Sequence, residues 1–442
     1  MDEHSTSREF LLELYGAAVR SARPHACLPP HLPPPPSGRL VVFAVGKAAS
    51  AMAAVTEAHY RAHAPRLGIS GLALTRHGHS MPAQGESAIE TIEAGHPVPD
   101  EAGLAASRRF LAMAHALGPD DLALVLLSGG GSALATLPAK GVSLADKQAL
   151  TRALLASGAP IADINCVRKH LSRIKGGRLA AALAPASSLT LAISDVAGDE
   201  PSVIASGPTV PDPTTREDAL AILERFAIPL PAHVRAALCA TPESPKPGDP
   251  CFSHARYELV ASGAGALDAA ARLAALRGYE ILSLGDRIEG EARDLAAAHA
   301  AMALDAQKTG RRCVILSGGE AGVTFTPGKS GGRGGPNQEY ALALALALAG
   351  TPGIAAIAGD TDGIDGGSGR ADDPAGALAF PGTLSRARAL GLDPEEALAS
   401  HDSGSFFAAL GDLVLTGPSF TNVNDFRAIV IDNACPTRSK AT

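Results

Sequence analysis

The sequence predicts an α/β fold in which a mostly parallel sheet is covered by crossover helices. Apolar runs that suit fully buried strands, such as Leu40–Val45 and Leu122–Leu127, recur along the chain, each followed by a turn of small residues and a helix-like segment. The chain also has 47 glycines and 33 prolines in 442 residues, enough for many tight turns. A chain of this length divides into about two or three domains.

Composition excludes several classes of protein. Hydrophobic residues make up 46% of the chain and charged residues 19%, which is typical of a folded protein rather than a disordered one. Tryptophan is absent and 38 basic residues stand against 45 acidic ones, so no nucleic-acid partner is expected. The six cysteines form no CxxC pair or zinc-type cluster, which argues against a disulfide framework.

The N-terminus and the most apolar segment predict a cytoplasmic location and no membrane partner. The N-terminus is acidic and lacks the basic start and apolar run of a secretory signal. Residues 340–358 carry no charge over a length close to a membrane span, but Gly-Thr-Pro-Gly at 350–353 divides them. We therefore predict a buried helix and a buried strand there.

The elements follow in a regular order. An amphipathic helix comes first, with a cap at residues 5–7 and an apolar stripe of Phe10, Leu11, Leu14, Tyr15 and Val19. Strands are then predicted at 40–45, 122–127, 189–193, 258–261 and 314–316, the last ending in a turn at 317–320. The segment 240–250, rich in proline and polar residues, predicts a linker between two domains, 1–243 and 252–442.

Two turns at strand ends suit phosphate. Lys47 follows a predicted strand at the start of a helix, where free N–H groups and the helix dipole favour an anion. The turn after the strand Leu122–Leu127 is rich in glycine, which lets backbone N–H groups approach a phosphate. A surface lysine and an ordinary tight turn are the alternatives. The candidate residues of this turn are Ser128, Gly129, Gly130, Gly131 and Ser132.

Basic and acidic segments add further candidates. Residues 168–178 hold five Lys and Arg side chains, Lys169 among them, and suit either a solvated helix face or a phosphoryl-transfer site. Asp195 ends a predicted strand, which makes it a candidate base or metal ligand. Asp360 and Asp362, close to Asp365, suit a hard cation such as Mg²⁺, and an Asx-turn cluster is the alternative.

Two glycine-rich segments remain. Arg333 stands between two pairs of glycines, which suits either a bidentate contact to carboxylate or phosphate or a surface loop. Gly263 and Gly265, with Asp286 downstream, form part of a dinucleotide-binding fingerprint. Asp268 stands in place of its third glycine, where the carboxylate would repel a pyrophosphate.

Seven segments together carry a family resemblance. They are VGKA at 45–48, GHPVPD at 95–100, LSGGGSA at 127–133, NCVRKHLSRIKGG at 165–177, SDVAGD at 194–199, GGPNQE at 334–339 and GDTDG at 359–363. In this order and spacing they resemble the class II glycerate kinases, which are glycerate 2-kinases with a C-terminal MOFRL domain. The resemblance spans nearly the whole chain. One departure is that the family usually reads TGPTGTNVND near its end, where this chain has Ser419 and Phe420.

The resemblance implies a fold and an activity. The fold is a Rossmann-like N-terminal domain and a smaller α/β MOFRL-type domain, with the active site in the cleft between them. The activity is transfer of the γ-phosphoryl group of ATP, with Mg²⁺, to the C2 hydroxyl of D-glycerate, which gives 2-phosphoglycerate and ADP. The functional lysine of the family falls on Lys47 and its functional arginine on Arg333.

These expectations lead to assigned roles, held as hypotheses. The glycine-rich turn and Lys169 bind the nucleotide phosphates, while Lys47 and Arg333 stabilise the transferring group or hold the glycerate carboxylate. Asp195 orients or deprotonates the substrate hydroxyl, and Asp360 and Asp362 hold Mg²⁺.

Two other functions stay open at this point. Members of the family are often labelled hydroxypyruvate reductase, so NAD(P)H-dependent reduction of hydroxypyruvate is the main alternative. A sugar-acid binding protein without catalysis is the third. The sequence also leaves open whether the chain forms a homodimer.

Overall fold

The chain folds into two compact units, and each is described on its own. The computed structural model describes residues 3–82, 85–325, 331–366, 370 and 372–432. Pro24–Ala261 form the parallel unit, and Met1–Arg23 together with Ser262–Thr442 form the mixed unit, both named here for their sheets. Elements are numbered in chain order across both units, and helix α1, Glu3–Ala22, belongs to the mixed unit.

The parallel unit contains six strands and nine α-helices among its described residues. The strands are β1 Leu40–Val45, β2 Ile69–Arg76, β3 Ile89–Ala94, β4 Leu122–Leu127, β5 Ser187–Ile193 and β6 Ala255–Ala261. The helices are α2 Pro24–Cys27, α3 Ala49–His63, α4 Glu101–His115, α5 Gly131–Leu134, α6 Leu144–Ala156, α7 Ile161–His170, α8 Arg178–Leu183, α9 Arg216–Arg225 and α10 Ala232–Ala240.

The sheet of the parallel unit has the order of a doubly wound nucleotide-binding fold. Its strands run β3-β2-β1-β4-β5-β6, and every pair is parallel. The chain therefore moves outward from β1 in one direction and then outward from β4 in the other. In such sheets ligands bind beyond the carboxyl ends of the two central strands, at the point where the order reverses. The predicted Rossmann-like sheet is confirmed, and its reversal point lies between β1 and β4.

The mixed unit contains the remaining elements. Its strands are β7 Glu280–Ser283, β8 Ile288–Glu291, β9 Cys313–Gly322, β10 Ile354–Asp360, β11 Gly376–Ala379, β12 Leu413–Val414 and β13 Asp425–Ile431. Its helices after α1 are α11 Gly263–Leu276, α12 Ala292–Lys308, α13 Pro336–Leu348, α14 Thr383–Ala389, α15 Pro394–Ala399 and α16 Ser403–Leu410. The sheet order is β12-β11-β10-β13-β9-β7, and β8 also pairs with β9. Only β7 and β8 run parallel to β9; the other described pairs are antiparallel.

The core confirms most of the predicted elements. The helix and strand predicted within 340–358 are α13 and β10, and both are buried. The apolar stripe of α1 is buried as well, where the helix packs on α11, β10 and β13. The predicted cap at 5–7 is wrong, because α1 begins at Glu3 and those residues lie inside its first turns. No helix of the described chain is long and apolar enough to cross a membrane.

The turn predicted at 317–320 is wrong, because β9 continues through it to Gly322. Gly319 has φ +108°, and a Cβ at this position would lie 2.2 Å from the backbone oxygen of Ile288. Glycine is thus needed at position 319 because the backbones of two strands approach closely there. Such a close approach, like a turn, explains a glycine that follows an apolar run. A glycine pair after an apolar run does not by itself distinguish a turn from such an approach.

The structure divides the chain after Ala261 rather than within the predicted linker at 240–250. The strand β6 lies beyond that linker, but it pairs with β5 and completes the parallel sheet. Helix α1 likewise belongs with the C-terminal elements. The compact units therefore differ from the domain limits 1–243 and 252–442 at both ends of the parallel unit.

Candidate active site

Three predicted site segments lie along one edge of the parallel sheet. Lys47 follows β1, the glycine-rich turn 128–132 follows β4, and Asp195 follows β5. Val45 at the end of β1 is paired with Leu127 at the end of β4, so these two strand ends are level. The structure brings Lys47 and the glycine-rich turn together at the reversal point of the sheet, where this fold binds ligands.

Backbone contacts join Lys47 to the glycine-rich turn. The Lys47 N–H donates to the Gly129 oxygen at 2.8 Å, and the Ala48 N–H donates to the Ser128 Oγ at 3.0 Å. Gly130 adopts a left-handed conformation, with φ +80°, just before α5 begins. The turn is therefore hydrogen-bonded to the strand end that carries Lys47.

His96 is a neighbour of this pair that the sequence analysis did not select as a site residue. A Cβ on Gly130 would lie 3.0 Å from His96 Cδ2 and Nε2 and 3.6 Å from Lys47 Cγ. His96 follows β3, near the edge of the sheet. The segment GHPVPD was noted for its resemblance only. The signal that could have identified His96 is its position directly after β3, whose apolar and polar residues are interspersed as in a strand. This position groups His96 with the other residues at strand ends.

The far end of the glycine-rich turn is held by side chains from other elements. The Ser132 and Ser206 hydroxyls lie 2.7 Å apart, and the Ser206 hydroxyl also donates to Asn165 Oδ1 at 3.2 Å. The buried ammonium of Lys175 donates to the carbonyl oxygens of Ser132 and Ala135 at 2.8 and 2.7 Å. Lys175 therefore supports the turn from beneath. The sequence analysis grouped Lys175 with the other cations of residues 168–178 and did not predict this role.

Lys169 occupies a different kind of position from the one we assigned to it. It is buried, and its Nζ lies 3.4 Å from Asp212 Oδ1. Asp212 also accepts hydrogen bonds from the hydroxyls of Thr214 and Ser244. Despite burial, these bonds and the nearby ammonium hold the pKa of Asp212 below its usual range. In the structure Lys169 belongs to this buried ion pair, and a contact with nucleotide stays a prediction.

Arg333 lies in the mixed unit, on an exposed loop whose backbone is held at three points. The Gly332 N–H donates to the Ser400 oxygen at 3.0 Å, and the Arg333 N–H donates to Asp402 Oδ1 at 2.7 Å. The Gly404 N–H donates to the Arg333 oxygen at 2.7 Å. The segment 400–404 therefore fixes the backbone of Arg333 while its guanidinium stays exposed.

The loop of Arg333 leads into α13, and a buried carboxylate caps that helix. Asp365 accepts hydrogen bonds from the backbone N–H groups of Asn337 and Gln338 at 3.0 and 2.8 Å, and from both side-chain amides. Burial raises the pKa of Asp365 to about 6, although these N–H donors act in the opposite direction. Asp365 was predicted as part of an acidic cation site, but its contacts in the structure are those of a helix cap.

A cavity of about 660 Å³ adjoins this loop within the mixed unit. Its lining combines a cation, a histidine and buried polar groups with the glycine backbone. Arg333, Gln338, Asp365 and His401 are the polar side chains of most interest in that lining. The volume lies within the range of small-molecule sites.

His401 belongs to a hydrogen-bonded group on one wall of the cavity, in which Glu339 is buried and Arg293 and His401 are half-buried. Its Nδ1 lies 2.8 Å from Glu339 Oε2, and Arg293 Nε lies 2.6 Å from Glu339 Oε1. His401 adopts a left-handed backbone conformation, with φ +55°, and its ring packs on Phe325. Neither Glu339 nor His401 was selected as a site residue from the sequence.

Asp360 and Asp362 form Asx-type turns at the end of β10. Asp360 Oδ1 accepts from the Asp362 N–H at 2.9 Å, and Asp362 Oδ1 accepts from the Ile364 N–H at 2.8 Å. Within residues 3–82, 85–325, 331–366, 370 and 372–432, no three His, Cys, Asp or Glu side chains are grouped as a metal site requires. The protein alone therefore supplies no metal cage there, although one or two carboxylates are enough for Mg²⁺ that is also bound by phosphates.

The partial dinucleotide fingerprint lacks the structural context that it needs. Such a fingerprint joins a strand and a helix of one βαβ unit. Here the preceding strand, β6, belongs to the parallel sheet, whereas α11 and β7 belong to the mixed unit. Gly263 and Gly265 instead begin α11, which Ser262 caps.

Comparison with known proteins identifies the family. Residues 313–425 match the MOFRL family, and residues 10–239 match the family described as "Domain of unknown function (DUF4147)". A protein of Thermotoga maritima named D-glycerate 2-kinase is 37% identical over 429 residues, which cover 96% of this chain and 98% of that protein. The chain belongs to the MOFRL-type glycerate kinase family.

Two further relatives of this MOFRL-type chain bear on fold and function. The crystal structure of a Thermotoga maritima glycerate kinase superposes with a TM-score of 0.85 and 36% identity, covering 97% of this chain and all of that one. A protein of Agrobacterium vitis named "Putative hydroxypyruvate reductase" is 50% identical over 430 residues, 96% of this chain and 95% of that protein. Relatives of this MOFRL-type kinase thus carry both names that the family resemblance led us to expect.

Proposed function

We propose that this protein is a glycerate 2-kinase that transfers the γ-phosphoryl group of ATP to the C2 hydroxyl of D-glycerate, giving 2-phosphoglycerate and ADP. The observation that carries the proposal is the position of Lys47 and the glycine-rich turn together at the reversal point of a doubly wound sheet. The names of relatives such as the Thermotoga maritima D-glycerate 2-kinase support the substrate and the reaction.

The chemistry follows from charge. A transferring phosphoryl group carries negative charge, so an enzyme gains most by positioning it and neutralising it. We assign the backbone N–H groups of residues 128–132 to the nucleotide phosphates. Lys47, bonded through its backbone to this turn, is then placed to stabilise the transferring group, and His96 adds a polar ring next to both.

Three side chains keep their hypothetical roles. Arg333 stabilises the same phosphoryl group or holds the glycerate carboxylate with its exposed guanidinium. Asp195, at the end of β5, orients or deprotonates the C2 hydroxyl. Lys169 contacts nucleotide only if its ion pair with Asp212 opens.

Mg²⁺ supplies neutralisation of the nucleotide phosphates when it is bound. Asp360 and Asp362 are our candidate ligands, since the two carboxylates are close in sequence and follow the same strand. They provide the one or two protein carboxylates that Mg²⁺ takes beside phosphate oxygens and water.

We also propose a cytoplasmic location, no nucleic-acid partner and a homodimer as the form to be sought in solution.

Reduction of hydroxypyruvate is the second candidate, because of the name carried by the Agrobacterium vitis relative. A reductase needs a site for a nicotinamide dinucleotide. The fingerprint around Gly263 and Gly265 is the local sequence support for one, and it does not lie in a βαβ unit. The kinase is therefore the better supported function.

A coupled assay separates these functions. Purified protein is mixed with ATP, Mg²⁺ and D-glycerate, and enolase with its downstream enzymes reports 2-phosphoglycerate alone. We expect signal in this assay. In a separate assay with hydroxypyruvate and NADH or NADPH but without the coupling enzymes, we expect no oxidation of the cofactor. Signal only after addition of a mutase that converts the 3-phosphate would overturn the regiochemistry, and cofactor oxidation without ATP consumption would favour the reductase.

A further inference from the structure

Three polar side chains are hydrogen-bonded in a row that leads from the end of the glycine-rich turn into the core of the parallel unit. The Ser132 and Ser206 hydroxyl oxygens lie 2.7 Å apart, and the Ser206 hydroxyl donates to Asn165 Oδ1 at 3.2 Å. Ser206 is fully buried and Asn165 is 4% exposed, whereas Ser132 is half-buried. Ser132 is therefore the member of this row that a ligand can reach.

The direction of these hydrogen bonds follows from the number of protons. A serine hydroxyl carries one proton and can accept through two lone pairs. Ser206 gives its proton to Asn165, so in the contact between the two serines the Ser132 hydroxyl is the donor. The Ser132 oxygen then has lone pairs, but no proton, to offer to a ligand.

This direction decides which part of a bound nucleotide Ser132 suits. Phosphate oxygens are acceptors, so they need donors such as the backbone N–H groups of the glycine-rich turn. An oxygen that offers only lone pairs suits a hard cation instead, and Mg²⁺ is bound by oxygen ligands. In P-loop nucleotide sites a serine or threonine hydroxyl binds Mg²⁺ beside the phosphates. The Ser132 hydroxyl therefore fits the metal ion rather than the phosphates.

The backbone that carries the Ser206 hydroxyl is held in an unfavourable conformation. Ala205 has φ +51° and Ser206 has φ +59°, in the left-handed region that L residues rarely occupy. Two hydrogen bonds fix this segment: the Gly176 N–H donates to the Ser206 oxygen at 3.0 Å, and the Gly177 N–H donates to the Gly207 oxygen at 2.8 Å. Glycine at position 206 would relieve the strain but would lack the hydroxyl that Ser132 contacts.

Ser132 is also held through its backbone. The Lys175 ammonium donates to the Ser132 carbonyl oxygen at 2.8 Å. Lys175 directly precedes the two glycines that are bonded to residues 206 and 207. These two loops together fix both the backbone and the hydroxyl of Ser132, so the orientation of its oxygen is set before a ligand binds.

We propose that Ser132 Oγ is a ligand of the Mg²⁺ that accompanies the nucleotide, and that Ser206 and Asn165 are positioning residues for it. This inference rests on the proposed function. Ser132 donates its proton to Ser206, and Ser206 donates to Asn165, so the lone pairs of Ser132 are left for the ion. Both hydroxyls keep their protons, and the protein adds no charge to the site.

Binding of ADP with and without Mg²⁺ tests the proposal without any turnover. Isothermal titration calorimetry of the full chain gives the dissociation constant of ADP in excess Mg²⁺ and in EDTA. We expect Ser132→Ala and Ser206→Ala each to weaken binding by about 3- to 10-fold in Mg²⁺ and by less than about 2-fold in EDTA. Ser107→Ala, which removes a fully buried serine hydroxyl on α4, should bind as wild type does.

Two further variants separate positioning from a loss of stability. Ser206→Gly lacks the hydroxyl but relieves the left-handed strain, so it should be more stable than Ser206→Ala and show the same loss of Mg²⁺-dependent binding. It also replaces Ser206→Ala if that variant does not fold. The double variant Ser132→Ala/Ser206→Ala should bind ADP as Ser132→Ala does, because Ser206 acts through Ser132.

Three outcomes would overturn the proposal. Equal losses in Mg²⁺ and in EDTA would show that Ser132 binds phosphate, and additive losses in the double variant would show that Ser206 does not act through Ser132. Unchanged binding by Ser132→Ala in Mg²⁺ would exclude the metal ligand and leave the proposed kinase activity intact. Failure of the wild type to bind ADP under either condition would contradict the proposed function itself.

Discussion

Gly46 lies so close to Ser128 that no side chain fits between them. A Cβ on Gly46 would be 2.2 Å from the Ser128 Oγ and 2.4 Å from its backbone oxygen, and Gly46 has φ +128°. Both the space and the backbone conformation require glycine here. The end of β1 and the glycine-rich turn are therefore in direct contact. They can lie this close only because residue 46 has no side chain.

Substitution of Gly46 should separate the two halves of the candidate phosphate site. For Gly46→Ala we expect a loss of roughly 1–3 kcal/mol in the free energy of unfolding, because the backbone is strained and Ser128 must move. Activity in the coupled assay should fall by more than the loss of folded protein explains. Gly78→Ala, at another positive φ but with open space around it, is the control. Equal activity in the two variants would contradict the close fit as a requirement for function.

Lys47→Met should reduce turnover strongly while leaving the fold intact. If Lys47 stabilises charge that develops in the transition state, its removal lowers kcat by about 100-fold or more. Measurement of kcat and KM for D-glycerate and for ATP gives the comparison. Lys308→Met removes an exposed lysine at the end of α12 and should behave as wild type. Normal turnover of Lys47→Met would remove this residue from the mechanism.

Asp402 should influence activity through the position of Arg333. Its Oδ1 accepts the Arg333 N–H at 2.7 Å, so Asp402→Ala releases one of the three points that hold the loop. Misplacement of a binding group by about 1 Å can cost roughly 100-fold in rate, and we expect a loss of about 10- to 100-fold in kcat/KM. Asp402→Asn keeps a side-chain acceptor at this position and should restore most of that loss. Equal defects in the two variants would exclude the hydrogen bond as the cause.

The buried His299 predicts a loss of stability in acid. Its Nδ1 lies 2.8 Å from the Tyr340 hydroxyl, and burial, helped by the charge of Arg427, lowers the pKa of His299 to about 4. The unfolded chain therefore binds this proton more readily than the folded chain. Stability should be complete above about pH 6.5 and fall as the pH drops towards 4.

Urea unfolding between pH 7 and pH 4 measures this effect. His299→Gln keeps a polar group near Tyr340 but does not titrate, so its stability should depend less on pH than that of the wild type. All other titrating groups are shared by the two proteins. Parallel pH profiles would show that His299 is not the group responsible.

Phe420 occupies a position where the resemblance described above leads us to expect glycine, and its backbone has a conformation that favours glycine. Phe420 has φ +58°, in the left-handed region that L residues rarely occupy. Phe420→Gly should raise the free energy of unfolding by about 0.5–1 kcal/mol, since it removes this strain. Phe420→Ala keeps the strain and loses the ring, so it should be less stable than Phe420→Gly. The reverse order of the two variants would mean that packing of the ring decides.

The sequence predicted the parallel sheet well because its signals are local. Runs such as Leu40–Val45 are long, apolar and bounded by small residues, and their strand ends carry Lys47 and the glycine-rich turn. The resemblance to a known family added the order of the motifs. These two sources together predicted the family, the segments on which the candidate site is built, and strands β1, β4, β5 and β6 of the parallel sheet, but not β2 and β3.

Other features depend on contacts between distant residues and could not be predicted from local patterns. The sequence around Lys169 gives no sign that this lysine pairs with Asp212, which lies more than 40 residues away. The sequence around Asp365 likewise does not show that its carboxylate caps α13. The glycines of β9 look like a turn until Ile288 is placed against them. The burial of Lys147 and Lys175 could not be predicted either, because the sequence does not show how α6 and α7 pack.

The membership of α1 in the mixed unit affects how the protein is made. This helix is synthesised before every other described element, but its buried stripe packs on α11, β10 and β13, which are synthesised only after the whole parallel unit. The parallel unit can fold while synthesis continues, whereas α1 must keep an apolar surface uncovered until near the end. Release of α1 from chaperones should therefore follow, rather than precede, folding of the residues between Pro24 and Ala261.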